Sequence, residues 1–300
     1  MKKFTRGITD KAFISALNNL LSNKTSFWYK IVHDKDLFIA IRNNFISVYY
    51  RGNSICKLSY KKGDIIGSTH YKFLLNPDLN EYIKSQNGIF PSIQIKSRFL
   101  SSLDDIKSIK KASSIYAGLE KTGVGIISMK KNNVVDVEIT FEDDDTFESA
   151  TEELSREFKK KGRIDYARLE GKDNLKLVFY EAKHFSNSEI RSNGTPKVFG
   201  QLDRYIKSIN AHQVDIIQSY TIVCKNLKDL NLTKSRKLVE RVANGEKFSI
   251  DFEPRLIIFG YDKAQKDSKR WKEHMEKLEH TLGKNRLRTI GHIVNEKPNS

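Results

Sequence analysis

Sulfur chemistry is nearly absent from this 300-residue chain, which has two cysteines, Cys56 and Cys224, far apart in apolar, strand-like surroundings. That excludes a disulfide framework and a cysteine-based zinc site, whose ligands come in closely spaced pairs. Both read as buried free thiols of a reducing cytoplasm. No apolar run approaches the ~20 residues that a membrane helix needs. The basic start Met1-Lys2-Lys3-Phe4-Thr5-Arg6 is not followed by the apolar segment of a secretory signal. A soluble, cytoplasmic protein with no membrane partner is expected. There is no Ser-His-Asp arrangement, and Gly194-Thr195-Pro196-Lys197 lacks the spacing of a phosphate-cradling Walker loop. Any ATP-driven activity would need a separate partner. Negative charge is in the minority: 37 Asp and Glu stand against 53 Lys and Arg, a formal net charge of +16. Such a balance favours a polyanionic partner. The abundance of Lys, Asn and Ile offers a second source for that charge, so it gains weight only together with a motif.

What is present is a globular composition, 38% hydrophobic and 30% charged, long enough for one large domain or two small ones. Asp10 to Leu21 has helical period through Phe13, Leu17, Leu20 and Leu21, with Thr9 or Asp10 as cap. Leu37 to Ile41, Phe45 to Tyr50 and Ser54 to Tyr60 are short strands separated by Asn43-Asn44 and Gly52-Asn53 turns, and His70 to Leu75 reads as a further strand. Residues 1–100 are therefore expected to form a small α+β domain that could contact nucleic acid or a partner. Within residues 101–300, Leu103 to Leu119 reads as one helix and Val124 to Met129 as the first strand of a second sheet. Val134 to Ile139 reads as its partner strand, with Asp136 and Glu138 on one face. The acidic run Glu142 to Asp145 leads into a polar helix, Ser149 to Lys161. Further on, Val214 to Leu230 and Ser268 to Leu282 read as helices, Arg255 to Tyr261 and Leu287 to Val294 as strands. Strands early and alternating helix and strand later fit an α/β unit around a mixed sheet flanked by helices.

Chemistry concentrates between Arg163 and Tyr205. Asp165 opens one β-like run, Gly171-Lys172-Asp173-Asn174 turns the chain, and the apolar run Leu175 to Tyr180 ends in Glu181-Ala182-Lys183. In a strand, residues two apart share a face, so Glu181 and Lys183 project together while Ala182 faces away. Burying them there would be costly unless they were paired or metal-bound. A hairpin brings Asp165 to the same end. Two carboxylates and a main-chain carbonyl, that of Ala182, are hard oxygen ligands for Mg²⁺ or Mn²⁺, and Lys183 would stabilise developing negative charge. Glu138 could add a further carboxylate, with Glu120 a weaker candidate. Downstream, Gln201-Leu202-Asp203-Arg204-Tyr205 sets Gln201 and Tyr205 four apart on one helix face, seated by a stripe of Phe199, Leu202, Ile206 and Ile209. His184 should face the other side of the strand. Ser186 to Lys197 is a polar loop in which Arg191 and Lys197, with Arg204 beyond it, are candidate phosphate contacts.

This order of residues resembles the PD-(D/E)XK nuclease superfamily, which includes restriction endonucleases, Holliday-junction resolvases and repair exonucleases. Asp165 matches the isolated aspartate, Glu181-Ala182-Lys183 the E-x-K, and Gln201 with Tyr205 the Q-x-x-x-Y of RecB-like members. The proline that usually precedes the aspartate is Ile164 here. The resemblance implies a restriction-endonuclease-like core over 101–300 and Mg²⁺- or Mn²⁺-dependent hydrolysis of phosphodiester bonds in DNA, with RNA not distinguished. By analogy it suggests a role in restriction or phage defence, as a homodimer or with a defence-complex partner. The rival is a non-catalytic nucleic-acid-binding subunit of a defence or repair complex.

Overall fold

The computed structural model describes residues 3–79, 87–89, 91–93, 98–141, 162–192 and 194–293. Helix α1 (Lys11–Leu21) starts where the Asp10 carboxylate accepts the Ala12 N–H, and it buries Phe13 and Leu17. Ser26 caps α2 (Phe27–His33) in the same way, through the Tyr29 N–H. A four-stranded antiparallel sheet follows in the order β1 (Leu37–Ile41), β2 (Phe45–Tyr50), β3 (Asn53–Lys61) and β4 (Asp64–Ser68). Its β2–β3 turn places Arg51 at φ 46° and Gly52 at φ 72°, the left-handed pair that suits a two-residue hairpin. His70 to Leu75 does not add a strand. Its ring Nδ1 accepts the Lys72 N–H, which closes a 3₁₀ turn over Tyr71–Phe73 that buries Phe73.

The second sheet has the order β10-β9-β7-β6-β5, with β8 also paired to β7. Strands β5 (Val134–Ile139), β6 (Ile164–Glu170) and β7 (Leu175–His184) run antiparallel; β8 (Phe248–Ile250) and β9 (Arg255–Phe259) lie parallel to β7, and β10 (Leu287–Ile290) parallel to β9. The fold is thus α/β with a mixed sheet. The expected helix over Leu103 to Leu119 is shorter, α3 (Ile106–Ser114), and a separate helix, α4 (Leu119–Lys130), starts where Gly118 caps it. Val124 to Met129 lies inside α4 and is no strand. A short apolar run carries the same periodicity signal in either state, and here two glycines let the helix pack closely. A Cβ on Gly123 would stand 2.1 Å from the Phe259 ring, and one on Gly125 2.7 Å from the Gly52 nitrogen.

Between β7 and β8 run α5 (Lys197–Ala211), α6 (Gln213–Asp229) and α7 (Lys237–Ala243); α8 (Lys263–Asp267) and α9 (Lys269–Leu282) separate β9 from β10. One buried apolar cluster runs from Phe4, Trp28 and Ile46 through Leu177 and Phe179 to Trp271 and Leu278. A second, on the opposite face, joins Phe38 and Ala40 to Val124, Tyr166, Tyr180 and Phe259. Both draw on residues before and after position 100. Both cysteines are buried and free. Among the described residues no helix is long and apolar enough to cross a membrane. The acidic run Glu142 to Asp145 and the polar helix expected over Ser149 to Lys161 fall outside the described residues.

Candidate active site

The β6–β7 ladder pairs Tyr166 with Tyr180. One step further the Ala182 N–H donates to Asp165 Oδ2 at 2.6 Å, a side chain taking the bond that a ladder carbonyl would otherwise accept. Glu181 and Lys183 leave β7 on one face, both nearly buried, with Lys183 Nζ 2.8 Å from Glu181 Oε1. A second carboxylate, Glu189 Oε2, lies 2.7 Å from the same ammonium. Helix α5 supplies the roof. Val198, Leu202, Tyr205 and Ile209 are its buried face, rotated from the expected stripe so that Tyr205 itself enters the core while Phe199 and Ile206 are half-buried. From that helix Gln201 Nε2 donates to Glu181 Oε1 at 2.8 Å and to the Tyr205 hydroxyl at 2.6 Å. The Tyr205 O–H in turn donates to the Arg163 carbonyl at 2.6 Å, just before Asp165.

Electrostatically the site is crowded with acid. Burial, then the charges of Glu181 and Glu138, push the Asp165 carboxyl well above the usual range against the pull of the Ala182 N–H and Lys183. Burial also raises Glu181 to about 7, although Lys183 opposes the shift. For Lys183 itself, burial works against the charged form, but Glu181 and Glu189 outweigh it and hold the ammonium protonated. Glu181 Oε2 and Gln201 Oε1 are buried with no hydrogen-bond partner, a state that costs about 1–3 kcal/mol per group.

No family model, curated protein or solved structure matches this chain. Its own residues must therefore carry the functional reading. Among the described residues no three His, Cys, Asp or Glu side chains gather into a closed metal cage. What Asp165, Glu181 and the Ala182 main chain could offer is a smaller, open set. The fit rests on two observations: a buried, unpartnered carboxylate oxygen, and acids raised by burial and, at Asp165, by neighbouring carboxylates. A divalent cation would answer both.

Not every expected residue joins the set. Asp136 and Glu138 do not share a face: a φ of 52° at Glu138 breaks the alternation. Glu138 lines a cleft with Asp165, while Asp136 is fully buried elsewhere. Lys197 is the exposed first residue of α5, and Arg204 is exposed further along it. Arg191 is stacked, its guanidinium 5.0 Å from the Phe185 ring centroid and 5.4 Å from that of Trp271. Glu120 does reach the end of β7, accepting the His184 N–H at 3.1 Å and Asn187 Nδ2 at 2.6 Å. Glu189 had no signal in the sequence beyond lying six residues after Lys183 in a polar loop.

Proposed function

We propose that this protein is a divalent-metal-dependent nuclease with a restriction-endonuclease-like core, hydrolysing phosphodiester bonds in DNA. The single observation that supports it best is the convergence of Asp165, Glu181 and Lys183 where the β6–β7 ladder gives way to a side chain, under a Gln201–Tyr205 roof. In this reading Asp165, Glu181 and the Ala182 carbonyl hold Mg²⁺ or Mn²⁺. Bound there, such an ion would supply acidification of a water and neutralisation of charge on the attacked phosphate. Lys183, kept protonated between Glu181 and Glu189, stands ready to stabilise negative charge developing on the phosphate oxygens. Gln201 fixes the Glu181 carboxylate through Oε1 and leaves Oε2 for the metal. Tyr205 locks Gln201 to the strand that carries Asp165.

The test is cleavage of supercoiled plasmid, linear duplex, single-stranded DNA and RNA with Mg²⁺, Mn²⁺ or EDTA. Wild type is run beside Glu181→Ala and Lys183→Ala. Metal-dependent cutting lost in both variants is the expected result. Binding without cutting, equal in all three proteins, would instead favour a non-catalytic nucleic-acid-binding subunit.

A further inference from the structure

Helix α9 packs on the far side of the loop that follows β7. Trp271, Leu278 and Leu282 are its buried apolar anchors. Arg270, His274 and Lys277 recur at i, i+4 and i+7, so they line one face of the helix. His274 is only 5% exposed, yet neither of its ring nitrogens has a hydrogen-bond partner. Buried polar side chains are normally bonded, and each exception needs a cause. Above this helix lies Arg191, stacked over Phe185 and Trp271, with its Nε also buried and unpartnered. Neither Arg191 nor Arg270 forms an ion pair among the described residues.

A histidine without partners, set among cations, is the inverse of an ordinary buried charge cluster, where opposite charges meet. What such a group lacks is an anion with several acceptor oxygens. We infer that Arg191, Arg270 and His274 form a phosphate-binding pocket beside the catalytic strand. The group it takes is a phosphate of the nucleic-acid substrate, either an internal phosphodiester or a terminal monoester. Arg191 brings a planar fork of donors suited to phosphate oxygens, packed against the Phe185 and Trp271 rings. It also sits two residues beyond Glu189, the partner of Lys183, so an occupied pocket would share one loop with the active site. The identity of the ligand rests on the nuclease reading; the pocket itself does not.

The groups facing His274 predict how it should respond. Burial first, then Arg191, Arg270 and Lys277, lower its pKa, and Glu273 on the same helix works in the opposite direction. A phosphate reverses the dominant sign, so binding should take up a proton and strengthen as pH falls through the range in which the imidazole gains its charge. The ligand's own second ionisation, at about 6 for a monoester, adds a separate slope; His274→Gln should remove the histidine part, and a purely structural histidine would leave the slope unchanged.

The experiment uses the full chain in EDTA, so that nothing is cut. Inorganic phosphate, then a short single-stranded DNA bearing either a 5′-phosphate or a 5′-hydroxyl, is titrated while histidine ring resonances and fluorescence anisotropy are followed. The His274 resonance, assigned with His274→Gln, is expected to shift with each phosphate source. Arg270→Glu, an exposed change that leaves the core intact, and Arg191→Gln should each weaken DNA binding about ten- to hundredfold. A loss confined to the 5′-phosphorylated strand identifies the terminal monoester; an equal loss for both strands identifies the internal diester. A His274 resonance unmoved by phosphate and by DNA, with Arg270→Glu binding like wild type, would overturn the proposal. A protein that binds phosphate here and cuts no substrate would keep the pocket and lose the nuclease reading.

Discussion

Two aspartates of one sheet, Asp136 on β5 and Asp165 on β6, meet burial in opposite ways. Asp136 is fully buried and completely served. Its Oδ2 accepts from Arg6 Nε at 3.1 Å and the Tyr220 hydroxyl at 3.0 Å; its Oδ1 accepts from Arg42 and from the Val137 N–H. Arg42 also donates to the Val137 carbonyl at 2.6 Å, so the ion pair is bonded to backbone as well. Asp165 has one N–H donor, the Ala182 amide, and acidic neighbours in Glu181 and Glu138. The first arrangement ties the N-terminal segment and the first sheet to the second. The second stores repulsion that folding alone does not need, as expected where acids are gathered for chemistry.

The strongest test of this contrast is activity. Asp165→Asn, Glu181→Gln and Lys183→Ala should each lower cleavage about 10²–10³-fold or more, measured on plasmid with Mg²⁺. Asp165→Asn should melt no lower than wild type, because it removes repulsion while its amide oxygen still accepts the Ala182 N–H. Asp136→Asn should do the reverse. It leaves two buried arginines short of a counter-charge and should cost about 3–5 kcal/mol in denaturant unfolding, with near-normal activity per folded molecule. Wild-type stability in Asp136→Asn would undo the contrast.

Proton linkage separates the clusters next. In the folded, metal-free protein Glu181 titrates at about 7 rather than its ordinary 4.5. Between those values the folded chain holds more protons than the unfolded chain, so stability falls as pH rises through that window. Glu181→Gln should flatten the slope seen in unfolding curves taken across it. Mg²⁺ affinity should run the opposite way and grow toward pH ~7 and above, since the ligand must lose its proton.

Smaller effects probe the supports. An alanine at Gly125 would set its Cβ 2.7 Å from the Gly52 nitrogen and 2.9 Å from Arg51 Cα, backbone that cannot rotate aside. Gly125→Ala should cost about 1–3 kcal/mol and reduce activity as well, because α4 carries Glu120. Effects of similar size come from a pair of tyrosines. Tyr220→Phe removes a bond to a charged group and should cost about 1.5–3 kcal/mol with little effect on cutting. Tyr205→Phe removes two neutral bonds, to the Arg163 carbonyl and from Gln201, each worth about 1 kcal/mol, and it should also slow cleavage because Gln201 loses its anchor.

Much of the candidate site was legible because its spacings are local. The strand period puts Glu181 beside Lys183, and the helix period puts Gln201 beside Tyr205; both pairs meet in the structure. Runs whose state depends on neighbours were misread. Val124 to Met129 is helical because Gly123 and Gly125 admit Phe259 and the β2–β3 turn, contacts that periodicity does not encode. Glu138 parted from Asp136 through its own backbone, a φ of 52° that interrupts the strand alternation. The buried face of α5 keeps Leu202 and Ile209 of the expected stripe but takes Val198 and Tyr205 in place of Phe199 and Ile206, because several apolar residues compete for one narrow stripe.

From the order of residues alone come the positive charge, the two sheets' main strands and an acid-x-lysine at the end of an apolar strand. These follow from composition and from periods of two and 3.6, which act within a few residues. Packing settled which acid became a strut and which became a site. The arginines that neutralise Asp136 lie 94 and 130 residues away in sequence, and no local pattern marks them as its partners. The cost of a buried charge is set by what the fold brings within a few ångströms of it, and that is a property of the folded chain.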